Sequence, residues 1–289
     1  MGVWALILFP LIALKQFPQL YWVWSLPMSI GMFGASIGIH ECAHQSLVRG
    51  KRTTALLGYL FGIFSLQPFQ SYQRGHFAHH RWQGTANDPT PTPLTQPQSN
   101  QFLDMLLRIQ LPILYWGGIW WPYFVYSLKT DPLFSKNGIL WIGGLIFLGA
   151  PHLILGVSLD NYTLMLLISF LLYSVGYERF FTLSQHMGLR PKVKKERYTP
   201  LEQVQQARSI RYALERSHLY FALHKEHHLF PQLHWSQLYP LHKELKISHP
   251  ELFNIEDEHL GFVIRRKGSL QEILWKTDTD NEMNHNGCL

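Results

Sequence analysis

The sequence predicts an all-α fold, a multi-pass helical membrane protein with about four transmembrane helices, additional interfacial or re-entrant helices and a cytosolic histidine-rich cap. Three observations predict it. Charged residues make up 15% of the 289-residue chain and aromatic residues 14%, against about 25% charged in soluble domains. Apolar residues come in long runs, so the mean hydropathy of −0.04 averages these with a polar C-terminal third. Sixteen histidines are present, and nine of them fall into one pattern beside the apolar runs.

The first run, Val3–Leu14, is short for a span and is interrupted by Pro10, so a truncated or tilted helix is expected. It lacks a basic segment before it and a small-residue cleavage site, and it reads as an anchor. After a turn containing Pro18, Leu20–Ile39 supplies twenty uncharged residues, roughly 30 Å of helix. Gly34 and Gly38 form a GxxxG step on it, expected to be a place of close helix packing. Thr54–Phe69 is apolar but short, and a Pro-, Thr- and Gln-rich loop follows from Arg81 to Asn100. Three more apolar runs are Phe102–Leu128, Ile139–Val157 and Tyr162–Phe181. The first of these carries Asp104 and Arg108 and is broken by Pro112, Gly117, Gly118 and Pro122. Residues 1–250 are expected to form one membrane-embedded domain, with 251–289 as a polar tail. Cys42 and Cys288 make no disulfide framework.

His40-Glu41-Cys42-Ala43-His44 closes the Leu20–Ile39 run. Two histidines four apart share a helix face and can grip one metal ion. Read alone, the stretch also matches the H-E-x-x-H signature of zinc metalloproteases, with Glu41 as base. Two further boxes share the pattern HxxHH: His76, His79 and His80, then His224, His227 and His228. Eight histidines exceed what one four-coordinate zinc can use, and they suit two metals with imidazole-dominated shells. His186 follows the last long apolar run and would emerge level with His40, which makes it the ninth candidate. Its competing reading is a packed interfacial residue.

The order HxxxH, HxxHH, single His, HxxHH resembles the membrane fatty acid desaturase family, which includes hydroxylases and carotenoid-modifying relatives. Gly84-Thr85-Ala86-Asn87-Asp88-Pro89 after the second box, Ala207-Arg208-Ser209-Ile210 before the third and His227-His228-Leu229-Phe230-Pro231 resemble the fatty-acyl branch. The resemblance covers Leu20 to about Leu245. It implies two iron ions bound by His40, His44, His76, His79, His80, His186, His224, His227 and His228, with no catalytic residue beyond these ligands. It also implies a lipid or fatty acyl substrate, O2 as oxidant and an integral membrane location. Glu41 becomes a hydrogen-bond partner of a ligand, and Glu226, Asp88 and Gln185 are further candidates for that role. The metalloprotease reading leaves most of the clustered histidines unused.

Placing every box on one membrane side requires an even number of crossings between boxes. Thr54–Phe69 should therefore dip and return, Phe102–Leu128 should be interfacial or re-entrant, and the last two runs should form a hairpin around Ser158–Asn161. Arg49, Lys51, Arg52, Arg74, Arg81 and the Arg190–Arg197 cluster all fall on the box side, which the positive-inside rule makes cytosolic. No haem, flavin or iron–sulfur motif is present, so an external ferredoxin or cytochrome b5 type donor must supply electrons. The Arg190–Arg197 patch could dock such an acidic partner; a basic lipid-facing collar is its preferred reading. No nucleic-acid partner is expected. A hydroxylase, ketolase or oxidative decarboxylase on the same scaffold, and a non-catalytic metal-binding membrane protein, remain open. His152 is expected to be a hydrogen-bonded core residue, and His218, His234, His242, His249, His259 and His285 to have surface or packing roles.

Overall fold

The computed structural model describes residues 2–85, 87–89, 135–174, 185, 197–210, 216 and 218–253. His186, the Phe102–Leu128 run, most of the Arg190–Arg197 cluster, His259, His285 and the tail beyond Phe253 lie outside the described residues. What is described is helical, with one isolated bridge between Ser209 and Leu223.

Helix α2 (Tyr21–Ala43) is the axis on which the helices before and after it in the chain pack. It is preceded by α1 (Gly2–Gln16) and a 3-10 turn, Pro18–Leu20, and it runs without a break into the first histidine box. A Cβ on Gly34 would lie 2.7 Å from Val3 Cγ2, and one on Gly31 would lie 2.8 Å from Ile7 Cγ1. α1 therefore runs antiparallel against α2 at backbone distance. A Cβ on Gly38 would lie 2.7 Å from Phe61 Cδ2 of α3 (Lys51–Phe64). The GxxxG step thus serves two different neighbours, one glycine each.

α3 has 14 residues, about 21 Å of helix against the roughly 30 Å of a hydrocarbon core. Its last turns pack level with Gly38, and Trp4 stacks on Phe61 at 5.2 Å. A turn at Ser65–Pro68 then sends the chain back as α4 (Phe69–Trp82), which carries the second box beside the end of α2. The chain between the first two boxes thus leaves the end of α2 and returns to it.

α5 (Lys136–Leu155) begins beside α3, where Tyr59 Oη donates to Asn137 Oδ1 at 2.6 Å. It ends in a left-handed Gly156, and Ser158 caps α6 (Leu159–Leu171). α6 returns along α2: Ser25 Oγ donates to the Met165 carbonyl, and Ser169 Oγ donates to the Ser25 carbonyl. Such hydroxyl-to-carbonyl bonds tie apolar helices where water is absent. His152 on α5 is half-buried, its ring 6.1 Å from that of Tyr162.

Two described helical segments, Pro18–Ala43 and Lys136–Leu155, are long and apolar enough to cross a membrane, and Gly2–Gln16 and Leu159–Ser174 are shorter apolar helices. Leu8, Phe9 and Ile12 on α1 and Ile146, Leu153 and Ile154 on α5 point outward. An apolar exterior of this kind suits lipid.

Beyond the helical bundle, α7 (Pro200–Val204), α8 (His224–Leu229) and α9 (Trp235–Ser248) cover the box end of α2, and a 3-10 turn follows at Pro250–Leu252. Thr199 and Glu202 form a reciprocal capping box that starts α7. The boundary expected at residue 250 falls inside the 3-10 turn, whose neighbour Phe253 packs edge-on against His242.

Candidate metal centre

Each histidine box ends or occupies a helix that delivers it to one place. α2 brings His40 and His44, α4 brings His76, His79 and His80, and α8 brings His224, His227 and His228. All eight are buried except His80, which is half-buried.

Their imidazoles sort into two groups. His40, His44, His76 and His227 place ring nitrogens within 4.8 Å of one another, and so do His79, His224 and His228. His76 Nε2 lies 2.8 Å from His44 Nε2 and 3.0 Å from His80 Nε2. His227 Nε2 lies 3.1 Å from both His40 Nε2 and His80 Nε2. In the second group His228 Nε2 is 3.1 Å from His224 Nε2. His80 stands between the groups, its ring centroid 4.3 Å from that of His228.

The two HxxHH boxes exchange their fourth residues. Within each box the first and fifth histidines pair through Nε2, because residues four apart differ by only about 40° around a helix. The fourth residue is turned about 60° to the other side of the first. His79 therefore joins the α8 pair, and His227 joins the group around α2 and α4.

These distances decide what the groups can hold. Lone pairs of neutral imidazoles facing one another repel unless a proton or a cation lies between them. The buried clusters could thus hold metal ions.

Carboxylates set the tautomers. His40 Nδ1 donates to Glu41 Oε1 at 2.9 Å, and Ser46 Oγ donates to Glu41 Oε2 at 2.6 Å. His79 Nδ1 donates to Asp88 at 3.0 Å, and the Gly84 amide donates to the same carboxylate at 3.2 Å. A proton held on Nδ1 leaves the Nε2 lone pair free for a metal. Gly84 has φ +74°, and a Cβ there would overlap the Gln206 side chain, so glycine is required for the turn that presents Asp88. Gln203 Nε2 donates to the His80 carbonyl at 2.9 Å and fastens the end of α4 to α7.

Burial holds the imidazoles of His44, His76 and His227 neutral well below the usual histidine range of 6.5. Neighbouring histidines push the same way: His40 acts on His44, His80 leads on His76, and His40 leads on His227. Neutral imidazole is the form that binds metal.

A family model described as "Fatty acid desaturase" matches residues 17–251. The chain belongs to the fatty acid desaturase family. Desaturases of this family are oxidoreductases of membranes, and the apolar helices and buried histidine clusters here accord with that membership. A curated relative from Bacillus subtilis (strain 168), named "Fatty acid desaturase", is 42% identical over 41 residues. That match spans 14% of this chain and 12% of the relative.

Of the residues expected beside the ligands, Glu41 and Asp88 contact box histidines directly. Gln185 instead donates its side-chain amide to the Phe221 carbonyl at 3.0 Å. Glu226 faces away from its box and accepts from His242 Nδ1 at 2.5 Å. His242, expected to have a surface or packing role, is the partner of this buried carboxylate. It is 1% exposed and sits in the polar layer beneath the third box. One signal was available: it lies four residues after Leu238, on the buried face of α9.

Proposed function

We propose that this protein is a membrane-bound, oxygen- and electron-dependent desaturase that introduces a double bond into a fatty acyl chain. Its two iron ions would be held by His40, His44, His76, His79, His80, His186, His224, His227 and His228. The observation that carries the reading is the convergence of seven imidazoles from three separated boxes on two buried points at the end of an apolar helix. A protease needs one open metal position and one base, and two separate imidazole groups exceed that requirement.

Iron bound there would supply the activation of O2 needed to take two hydrogens from neighbouring carbons of an unreactive chain. The balance is one acyl CH2–CH2 unit, one O2, two electrons and two protons giving one CH=CH unit and two waters. The electrons come from an external donor of ferredoxin or cytochrome b5 type, and the box side of the membrane is the cytosolic side. Glu41 and Asp88 keep protons on the Nδ1 atoms of His40 and His79, so both rings present Nε2 to the metal. Burial keeps water out and keeps His44, His76 and His227 neutral. The apolar helices accept the hydrocarbon, and where they hold it selects the carbons attacked.

The test is product analysis. The chain is expressed in a host with simple lipids, and total fatty acids are profiled by mass spectrometry. New double bonds that disappear in His227→Ala support the reading. Hydroxylated products in their place would move the protein to the hydroxylase alternative.

A further inference from the structure

We propose that His242 is a positioning residue for the metal centre, acting through Glu226 to aim the third histidine box. The proposal rests on the reading that the boxes hold metal. α8 has only six residues and no side-chain N-cap, so it is far too short to hold its own conformation. Its two non-histidine members in the box, Lys225 and Glu226, fasten it to the scaffold. Lys225 Nζ donates to the Leu252 carbonyl of the following 3-10 turn. Glu226 is 0% exposed, and its carboxylate accepts from Ser209 Oγ on one oxygen and from His242 Nδ1 on the other. Ser209 Oγ also accepts from the Lys225 amide at 3.1 Å, and Ser209 pairs with Leu223 immediately before the box.

His242 lies outside both groups that could hold a metal. Its ring is buried edge-on against Phe253, and its Nε2 is buried with no hydrogen-bond partner among the described residues. An orphaned nitrogen costs stability, so as core filling alone an apolar side chain would serve better. The function of the ring is its Nδ1–H, which fixes one arm of Glu226. Glu226 sits between His224 and His227, within two residues of every ligand in the box. Metal sites tolerate about 0.5 Å of misplacement, and a six-residue helix released from this clamp can tilt by more than that.

The experiment compares His242→Asn, His242→Gln and His242→Phe in the full chain, purified in detergent and titrated with cobalt(II) while its d–d spectrum is recorded. Asparagine places an amide N–H where Nδ1 stood, and glutamine places it where Nε2 stood. His242→Asn should keep the wild-type spectrum and affinity. His242→Gln and His242→Phe should lose about 10- to 100-fold in affinity and alter the spectrum. If His242→Phe fails to fold, the asparagine and glutamine variants still decide. Equal behaviour of those two overturns the role of His242. A wild-type chain that binds no cobalt overturns the metal reading itself, and this inference with it.

Discussion

Removing the carboxylate that holds His40 should weaken metal binding at one defined nitrogen. In Glu41→Ala the His40 Nδ1–H loses the acceptor that lies 2.9 Å away. His40 and Glu41 are 2% and 3% exposed, so water has little access to replace the lost oxygen. Ser46 Oγ keeps its second acceptor, the Glu41 carbonyl at 3.0 Å, and the local backbone should stay in place. Loss of an outer partner of a ligating histidine costs about 10- to 100-fold in metal affinity, or about 1.4–2.7 kcal/mol. Glu41→Gln, which keeps a carbonyl acceptor but removes the charge, should fall between wild type and Glu41→Ala. The assay is competition for iron(II) between the detergent-solubilised protein and a chromogenic chelator under anaerobic conditions. An unchanged affinity in Glu41→Ala would refute the claim that this carboxylate sets the His40 tautomer.

The same logic gives other expectations. Asp88→Ala frees His79 and the Gly84 turn together, and metal should be lost first from the His79, His224 and His228 group, read as a drop in iron per chain. Gly38→Val places methyl groups into the Phe61 ring, whose Cδ2 would lie 2.7 Å from a Cβ there; overpacking of this kind costs about 1–3 kcal/mol and should lower the thermal midpoint while His227→Ala leaves it nearer wild type. In metal-free protein, the buried neutral His44, His76 and His227 have folded pKa values below 6.5. The unfolded chain then binds more protons as pH falls through that value, so stability should be full above 6.5 and decline below it; a thermal midpoint unchanged between pH 7.5 and pH 5.5, both about one unit from the histidine reference, would contradict the burial argument.

Spacing foretold which helices carry the histidines better than how those histidines group. Box membership was legible because spacings of three and four are a helix signature, and α2 and α4 do carry the first two boxes on helices. That the chain returns from α3 to the same end of α2 followed from requiring the first two boxes to meet. What spacing could not carry was the exchange of His79 and His227 between groups, which depends on how α4 and α8 face each other across the site. The GxxxG step announced close packing, yet only the fold assigns Gly34 to α1 and Gly38 to α3. His242 escaped notice because it has no spacing relation to any box. Its partner Glu226 is adjacent to the box histidines but points away from them, a direction that a linear motif does not encode.

Quantifying metal on the purified chain tests the central claim most directly. The purified chain should hold about two iron ions, one for each histidine group, both lost in a variant carrying His76→Ala and His228→Ala. One zinc ion and no iron would contradict it and return the first box to the metalloprotease reading.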